Sequence, residues 1–130
     1  GVPLAGHGVT GGRRVAGFCW AGVSRLDGGV VVAVAHVRGG GELGRPWYDD
    51  GKLLHKRNTF TDFIACAEYL VAKGWTKPSL LAARGGSAGG LLVGACINIR
   101  PELFASAVAE VPFVDVVSTM SDPSLPLTIT

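Results

Sequence analysis

Several stretches of the chain carry a clear hydrophobic rhythm. Val30-Val31-Val32-Ala33-Val34-Ala35, entered through Gly28-Gly29, is β-branched and nearly continuous, which predicts a central strand buried on both faces. From Thr59 to Lys73 the apolar positions Phe60, Phe63, Ile64, Ala67, Leu70 and Val71 return every three or four residues, so this segment predicts an amphipathic helix closed by Gly74. Thr59-x-x-Asp62 at its start resembles a capping box, with Asp in place of Glu or Gln. Ser79-Leu80-Leu81-Ala82-Ala83, after Lys77-Pro78, reads as a short buried parallel strand. A second helix follows from Ala88 to Ile99, with Leu91, Leu92, Ala95, Cys96 and Ile99 at helical spacing. Arg100-Pro101 stops it, because a residue before proline is pushed out of the helical region. Ser106 to Ala109 predicts a further strand, and the tail from Ser121 to Thr130 shows no periodicity. Strands alternating with helices predict an α/β fold, a mostly parallel sheet with flanking helices, and at least one βαβ crossover.

Composition narrows the functional classes. With 130 residues, 48% of them hydrophobic, the chain forms at most one domain with a real core. A net charge of +2, with basic residues scattered among acidic ones, gives no footprint for nucleic acid. Trp20, Trp47 and Trp75 form no stacking array for single strands. No apolar run approaches the ~18 residues of a membrane span, and no secretory leader is evident. The chain opens on Gly1, which leads us to expect a processed or truncated start. Cys19, Cys66 and Cys96 make an odd set without C-x-x-C spacing; Cys66 and Cys96 read as buried free thiols, and a cytoplasmic location is expected.

The candidate chemistry lies between the second strand and the second helix. Gly85-x-Ser87-x-Gly89, within Arg84-Gly85-Gly86-Ser87-Ala88-Gly89-Gly90, fits the sharp strand-to-helix turn that holds a nucleophilic serine at the edge of a sheet. The turn needs backbone angles and close approaches that a Cβ opposes, hence the glycines. The helix that follows would aim backbone N–H groups and a positive dipole end at the reacting centre. A second glycine loop, His36-Val37-Arg38-Gly39-Gly40-Gly41-Glu42, closes the Val30 strand at the edge where ligands of open α/β sheets gather. Within it, Arg38 and Glu42 are read as an ion pair that orders the loop. His36 and Glu42 lack a third ligand at regular spacing, so no metal is expected, and no cofactor either. Gly6-x-Gly8-x-x-Gly11 spells a dinucleotide fingerprint without the strand and acid that such a site requires. Asp49-Asp50 and Lys56-Arg57 are read as solvated surface.

From Val34 to Leu127 the chain resembles the catalytic domain of the prolyl oligopeptidase family of serine peptidases, most closely oligopeptidase B. The matching blocks are His36 to Gly44, Lys56-Arg57-Asn58-Thr59-Phe60-Thr61-Asp62-Phe63, the serine elbow, Arg100-Pro101-Glu102-Leu103-Phe104 and Val111-Pro112-Phe113-Val114-Asp115-Val116. The resemblance implies a partial α/β-hydrolase fold, incomplete at its C-terminal side, spanning residues 1–130, of which 1–26 match poorly. It implies Ser87 as the nucleophile, the backbone N–H of Ala88 as an oxyanion donor, the elbow glycines Gly85, Gly86, Gly89 and Gly90, and an active-site loop containing Arg38, Gly39, Gly40 and Glu42. The substrate would be a short peptide, cut after Arg or Lys in oligopeptidase B-like enzymes and after Pro in prolyl oligopeptidases. A propeller domain that excludes folded proteins is implied as well.

The departures from the family carry information too. Its triad runs Ser, Asp, His along the chain, whereas His7, His36 and His55 all precede Ser87. Asp115 and Asp122 are the only aspartates after the serine, and neither is in the slot of the triad acid. The family's oxyanion tyrosine has no counterpart in Gly6 to Gly12, where His7 reads as a loop residue rather than a substitute donor. The acids that receive a basic substrate side chain in oligopeptidase B would fall after Thr130. The expectation is therefore part of a longer serine peptidase, inactive by itself beyond a residual ~10³–10⁴-fold over water. The alternatives are a non-catalytic binding remnant and an esterase or aminopeptidase of the same fold.

Overall fold

The computed structural model describes residues 2–6 and 20–125. Their elements run in the order β1 (Val2–Gly6), α1 (Trp20–Asp27), β2 (Ala33–Ala35), α2 (Arg45–Asp49), α3 (Arg57–Ala72), β3 (Leu81–Gly86), α4 (Ala88–Ile99), β4 (Ser106–Glu110) and α5 (Val116–Ser121), with short 3-10 turns at Leu53–His55, Pro78–Leu80 and Pro101–Leu103. Among the described residues the sheet has four strands in the order β2-β1-β3-β4, and every pairing is parallel. Parallel pairing sends all the loops after the strands to one edge. The α/β architecture and its flanking helices are those the pattern predicts.

The core lies between the sheet and the helices α3 and α4. Leu4 from β1, Leu81 and Ala83 from β3, Phe63 and Ala67 from α3, and Leu92, Val93 and Cys96 from α4 form one buried cluster. β3 alternates buried and half-buried positions, so Leu81, Ala83 and Gly85 face inward while Ala82, Arg84 and Gly86 do not. Phe63 stacks on Phe104 with ring centroids 6.1 Å apart. The α3 face follows the sequence pattern: Phe63, Ile64 and Ala67 are buried, with Phe60, Leu70 and Val71 packed against them. Gly74 does close the helix, at φ +74°, where it donates to the Val71 carbonyl and Trp75 donates to that of Leu70.

Several expectations need correction. Among the described residues the Val30 run forms an edge strand of three residues, because β1 stands between it and β3; Val31, Val32 and Val34 are all exposed. β1 has too few residues before Gly6 to show a period, and no strand is predicted there. On α4, Val93 is buried while Leu91 is half-buried and Ile99 exposed, although the helix has the predicted bounds. Thr59-x-x-Asp62 is not a capping box: Lys56 is the N-cap, and no side chain caps the helix. Both residues point across to another loop instead.

Candidate active site

Ser87 occupies the one-residue break between β3 and α4. Its backbone angles, φ 54° and ψ −116°, are costly for a residue with a Cβ. Neighbouring segments impose them. The Ser87 N–H donates to the Glu110 carbonyl at 2.9 Å, while its own carbonyl accepts from Gly90 at 2.9 Å and from Leu91 and Phe113 at 3.2 Å. Two glycines make this approach possible. A Cβ on Gly85 would fall 2.1 Å from the Gly89 carbonyl oxygen, and one on Gly90 would fall 2.6 Å from Pro112 Cα. Gly86 is under no such demand, its nearest neighbours being 3.8 Å away. Gly89 and Ala88 are buried beneath the turn.

The result is an exposed serine on a buried, tightly bonded support. Ser87 does not cap α4 with its side chain, and among the described residues its Oγ has no hydrogen-bond partner. The Ala88 N–H, first of the helix, has no acceptor among the described residues either, and stands at the positive end of a helix of 12 residues. An exposed hydroxyl beside an unspent N–H and a helix N-terminus is an arrangement that can attack a carbonyl and stabilise the resulting oxyanion.

The loop after β2 comes out at the same edge, since β2 and β3 are both parallel to β1. Its ion pairs differ from the expected ones. Arg38 does not pair with Glu42. Its Nε and Nη2 donate to Asp62 Oδ2 and Oδ1 of α3 at 2.8 and 2.6 Å, and its backbone N–H donates to Oδ2 at 3.0 Å. Burial pushes the Asp62 carboxyl upward, but the Arg38 guanidinium and N–H outweigh that and hold it below the usual carboxylate range. Thr59 completes the contact, donating its hydroxyl to the Arg38 carbonyl at 2.7 Å. Glu42 faces His36 instead, with Oε1 3.4 Å from Nδ1. Gly39, at φ +99°, donates to the Trp47 carbonyl at 3.0 Å, and a Cβ on Gly51 would meet Gly39 N at 2.1 Å. A Cβ on Gly40 would meet Glu42 Oε2 at 2.2 Å.

Lys56, read from sequence as solvated, is half-buried; it donates to Thr59 Oγ1 at 3.2 Å, and burial lowers its ammonium to about 8. Its neighbour Arg57 is exposed, and Asp49 lies between Arg45 and Lys52. Neither His36 nor His55 hydrogen-bonds Ser87, and His7 lies outside the described residues, as do 8–12 of the glycine motif. Asp115 caps α5 by accepting from the Ser118 N–H, and Asp122 accepts from Ser124. No group of three or more His, Cys, Asp or Glu among the described residues is arranged to hold a metal ion. No helix among them is long and apolar enough to cross a membrane.

Thr59 and Asp62, like the Arg38–Glu42 pair and Lys56, are residues of this edge that sequence reasoning assigns wrongly. Asp62 and Arg38 lie 24 positions apart, so only the folded chain brings them together. A glycine-rich stretch and a helix start each carry a local signal, but their meeting carries none.

The prolyl oligopeptidase family matches residues 18–130. Dipeptidyl aminopeptidase BI of Pseudoxanthomonas mexicana is 55% identical over 122 residues, which cover 94% of this chain and 17% of that protein. Protease 2 of Moraxella lacunata is 54% identical over 125 residues, covering 96% of this chain and 18% of that protein. In three dimensions the chain is similar to oligopeptidase B from Trypanosoma brucei with covalently bound antipain in its closed form. The TM-score is 0.93 at 55% identity, over 98% of this chain and 18% of that one. The chain thus spans less than a fifth of the length of each of these relatives.

Proposed function

The chain belongs to the prolyl oligopeptidase family, and from that premise we propose that it is the nucleophile-bearing part of a serine-type oligopeptidase acting on short peptides. The observation that supports this reading best is Ser87 itself: exposed, held at φ 54° between β3 and α4, its Oγ unspent among the described residues. In this mechanism Ser87 Oγ attacks the carbonyl carbon of the scissile peptide bond while a histidine takes the hydroxyl proton. The oxygen of the tetrahedral intermediate becomes negative and accepts from the Ala88 N–H at the helix N-terminus. Collapse breaks the C–N bond, the histidine returns its proton to the leaving amine, and an acyl-enzyme on Ser87 remains. Water then attacks that ester by the same route in reverse.

Ser87 has no histidine partner among the described residues, so the reading assigns base and acid to parts of the longer protein outside residues 1–130. A domain that restricts access to short peptides is assigned there too. The test is active-site labelling of the full-length protein with a fluorophosphonate, followed by peptide mapping. The label is expected on Ser87, and Ser87→Ala is expected to abolish both labelling and peptide hydrolysis. Label on another residue, or undiminished hydrolysis by the Ala variant, would refute the assignment.

A further inference from the structure

The strained backbone of Ser87 is only as fixed as the groups that bond it. The first of these is the Glu110 carbonyl, which accepts the Ser87 N–H at 2.9 Å. Glu110 is the last residue of β4, which is an edge strand among the described residues, with every position exposed. A strand end of that kind frays unless something ties it down. Beyond it the chain turns sharply. Val111 sits at φ +39°, unfavourable for a β-branched residue, before Phe113 donates its N–H to the Ser87 carbonyl at 3.2 Å. Glu110 therefore opens a clip that grips both polar groups of the Ser87 main chain.

The side chain of Glu110 supplies the tie. Glu110 stands opposite Gly86 in the β3–β4 register, and Arg84 lies two residues before Gly86, on the same face of β3. Gly86 puts no side chain between them. The Glu110 carboxylate lies near Gly86, with Oε2 3.8 Å from where a Cβ would stand, and Arg84 Nη2 donates to Oε1 at 2.5 Å. The two side chains are 36% and 50% exposed, and a pair so placed contributes little to overall stability. What it does fix is the end of β4 against β3, and with it the carbonyl that Ser87 bonds. Resting on the reading of Ser87 as nucleophile, we propose that Arg84 and Glu110 are positioning residues. Their ion pair holds the Glu110 carbonyl where it keeps Ser87 at φ 54° with its hydroxyl exposed. Neither side chain takes part in the chemistry.

The experiment uses the full-length protein and compares Arg84→Gln, Glu110→Gln, the double variant and the charge-retaining Arg84→Lys with wild type. Four readouts are taken: kcat and KM for a short peptide substrate, the rate at which diisopropyl fluorophosphate labels Ser87, and the Tm. In each single Gln variant kcat and the labelling rate are expected to fall together about tenfold, with KM within about twofold of wild type. The Tm should stay within about 3 °C, because the pair is exposed. The double variant should fall no further than either single, since both act through one contact, and Arg84→Lys should recover part of the loss. Unchanged kcat and labelling in both single variants would overturn the proposal. So would a loss that tracks a lower Tm, which would reduce the pair to general support of the fold. A rise in KM at constant kcat, or losses that multiply in the double variant, would also overturn it. Failure of wild type to label on Ser87 would sink the nucleophile assignment itself, so the two failures are distinguishable. If Glu110→Gln does not fold, Arg84→Gln and Arg84→Lys decide by the same criteria.

Discussion

A methyl group at Gly90 would stand 2.6 Å from Pro112 Cα and 2.8 Å from its Cβ, whereas one at Gly86 would find nothing nearer than 3.8 Å. Four glycines surround Ser87 in sequence, yet the structure asks different things of them. Gly90→Ala and Gly85→Ala in the full-length protein are expected to cost about 1–3 kcal/mol, since the crowding atoms are backbone or ring and cannot step aside. Gly86→Ala should fall within about 0.5 kcal/mol of wild type, and urea midpoints of the three variants check the ranking. Lys56 gives a second prediction at this scale. Burial lowers its folded-state value to about 8 from 10.5, so the folded protein holds that proton less tightly than the unfolded chain. The cost of the buried charge is present in full below about pH 8 and is relieved as pH rises toward 10.5. Lys56→Met should therefore be more stable than wild type at pH 7, with the gap closing by pH 10. A gap that does not change with pH would contradict it. Cys96 follows the same logic with the opposite charge: burial raises its thiol to about 12, so iodoacetamide at pH 8 should leave it unmodified in the folded protein and alkylate it after denaturation.

Elements were legible in the sequence to the degree that local pattern decides them. The helix over Ala88–Ile99 has the predicted bounds because its start is the glycine turn and its stop is Arg100-Pro101, both local. The strand placed over Ser79–Ala83 begins two residues later, Pro78 having opened a 3-10 turn instead. β2 departs from expectation for a different reason: a β-branched run announces a strand but not its neighbours, and among the described residues the strand that stands between it and β3 is β1, Val2–Gly6. The serine elbow was legible as a motif, and its strain and its bonds to Glu110 and Phe113 were not. Thr59 and Asp62 show the limit most sharply. Their spacing is that of a helix cap, and the structure spends both on Arg38 instead. Because Arg38 holds the Asp62 carboxyl below its ordinary value, the pair stabilises the fold above the unfolded carboxylate range, and that contribution is lost as pH falls through the folded value. The stability difference between wild type and Asp62→Asn should then be constant from about pH 7 down to about pH 5 and shrink below about pH 4. Thermal unfolding across that range measures it, and a difference that grows on acidification would contradict the pairing.

On the scale of the whole molecule, the described residues leave two sheet edges uncovered. All five residues of β4 are exposed, and beyond it Val111, Val114, Val117 and Met120 present apolar surface to solvent. At the opposite edge β2 shows Val34, beside a cavity of about 360 Å³ lined by Leu4, Ala33, Cys66, Tyr69 and Leu70 among others. Unpaired parallel edges flanked by apolar side chains are templates for further strands. Relatives more than five times as long have ample chain to supply them. Residues 1–130 expressed by themselves are therefore predicted to self-associate and to bind a hydrophobic dye, while the full-length protein does neither. Light scattering and dye fluorescence at matched molar concentration separate the two. Replacing Val108 and Val111 by lysine in the short chain should suppress association, because charge on an edge strand opposes further pairing. A short chain that stays monomeric and dye-free would mean that these edges are closed by contacts within residues 1–130 themselves.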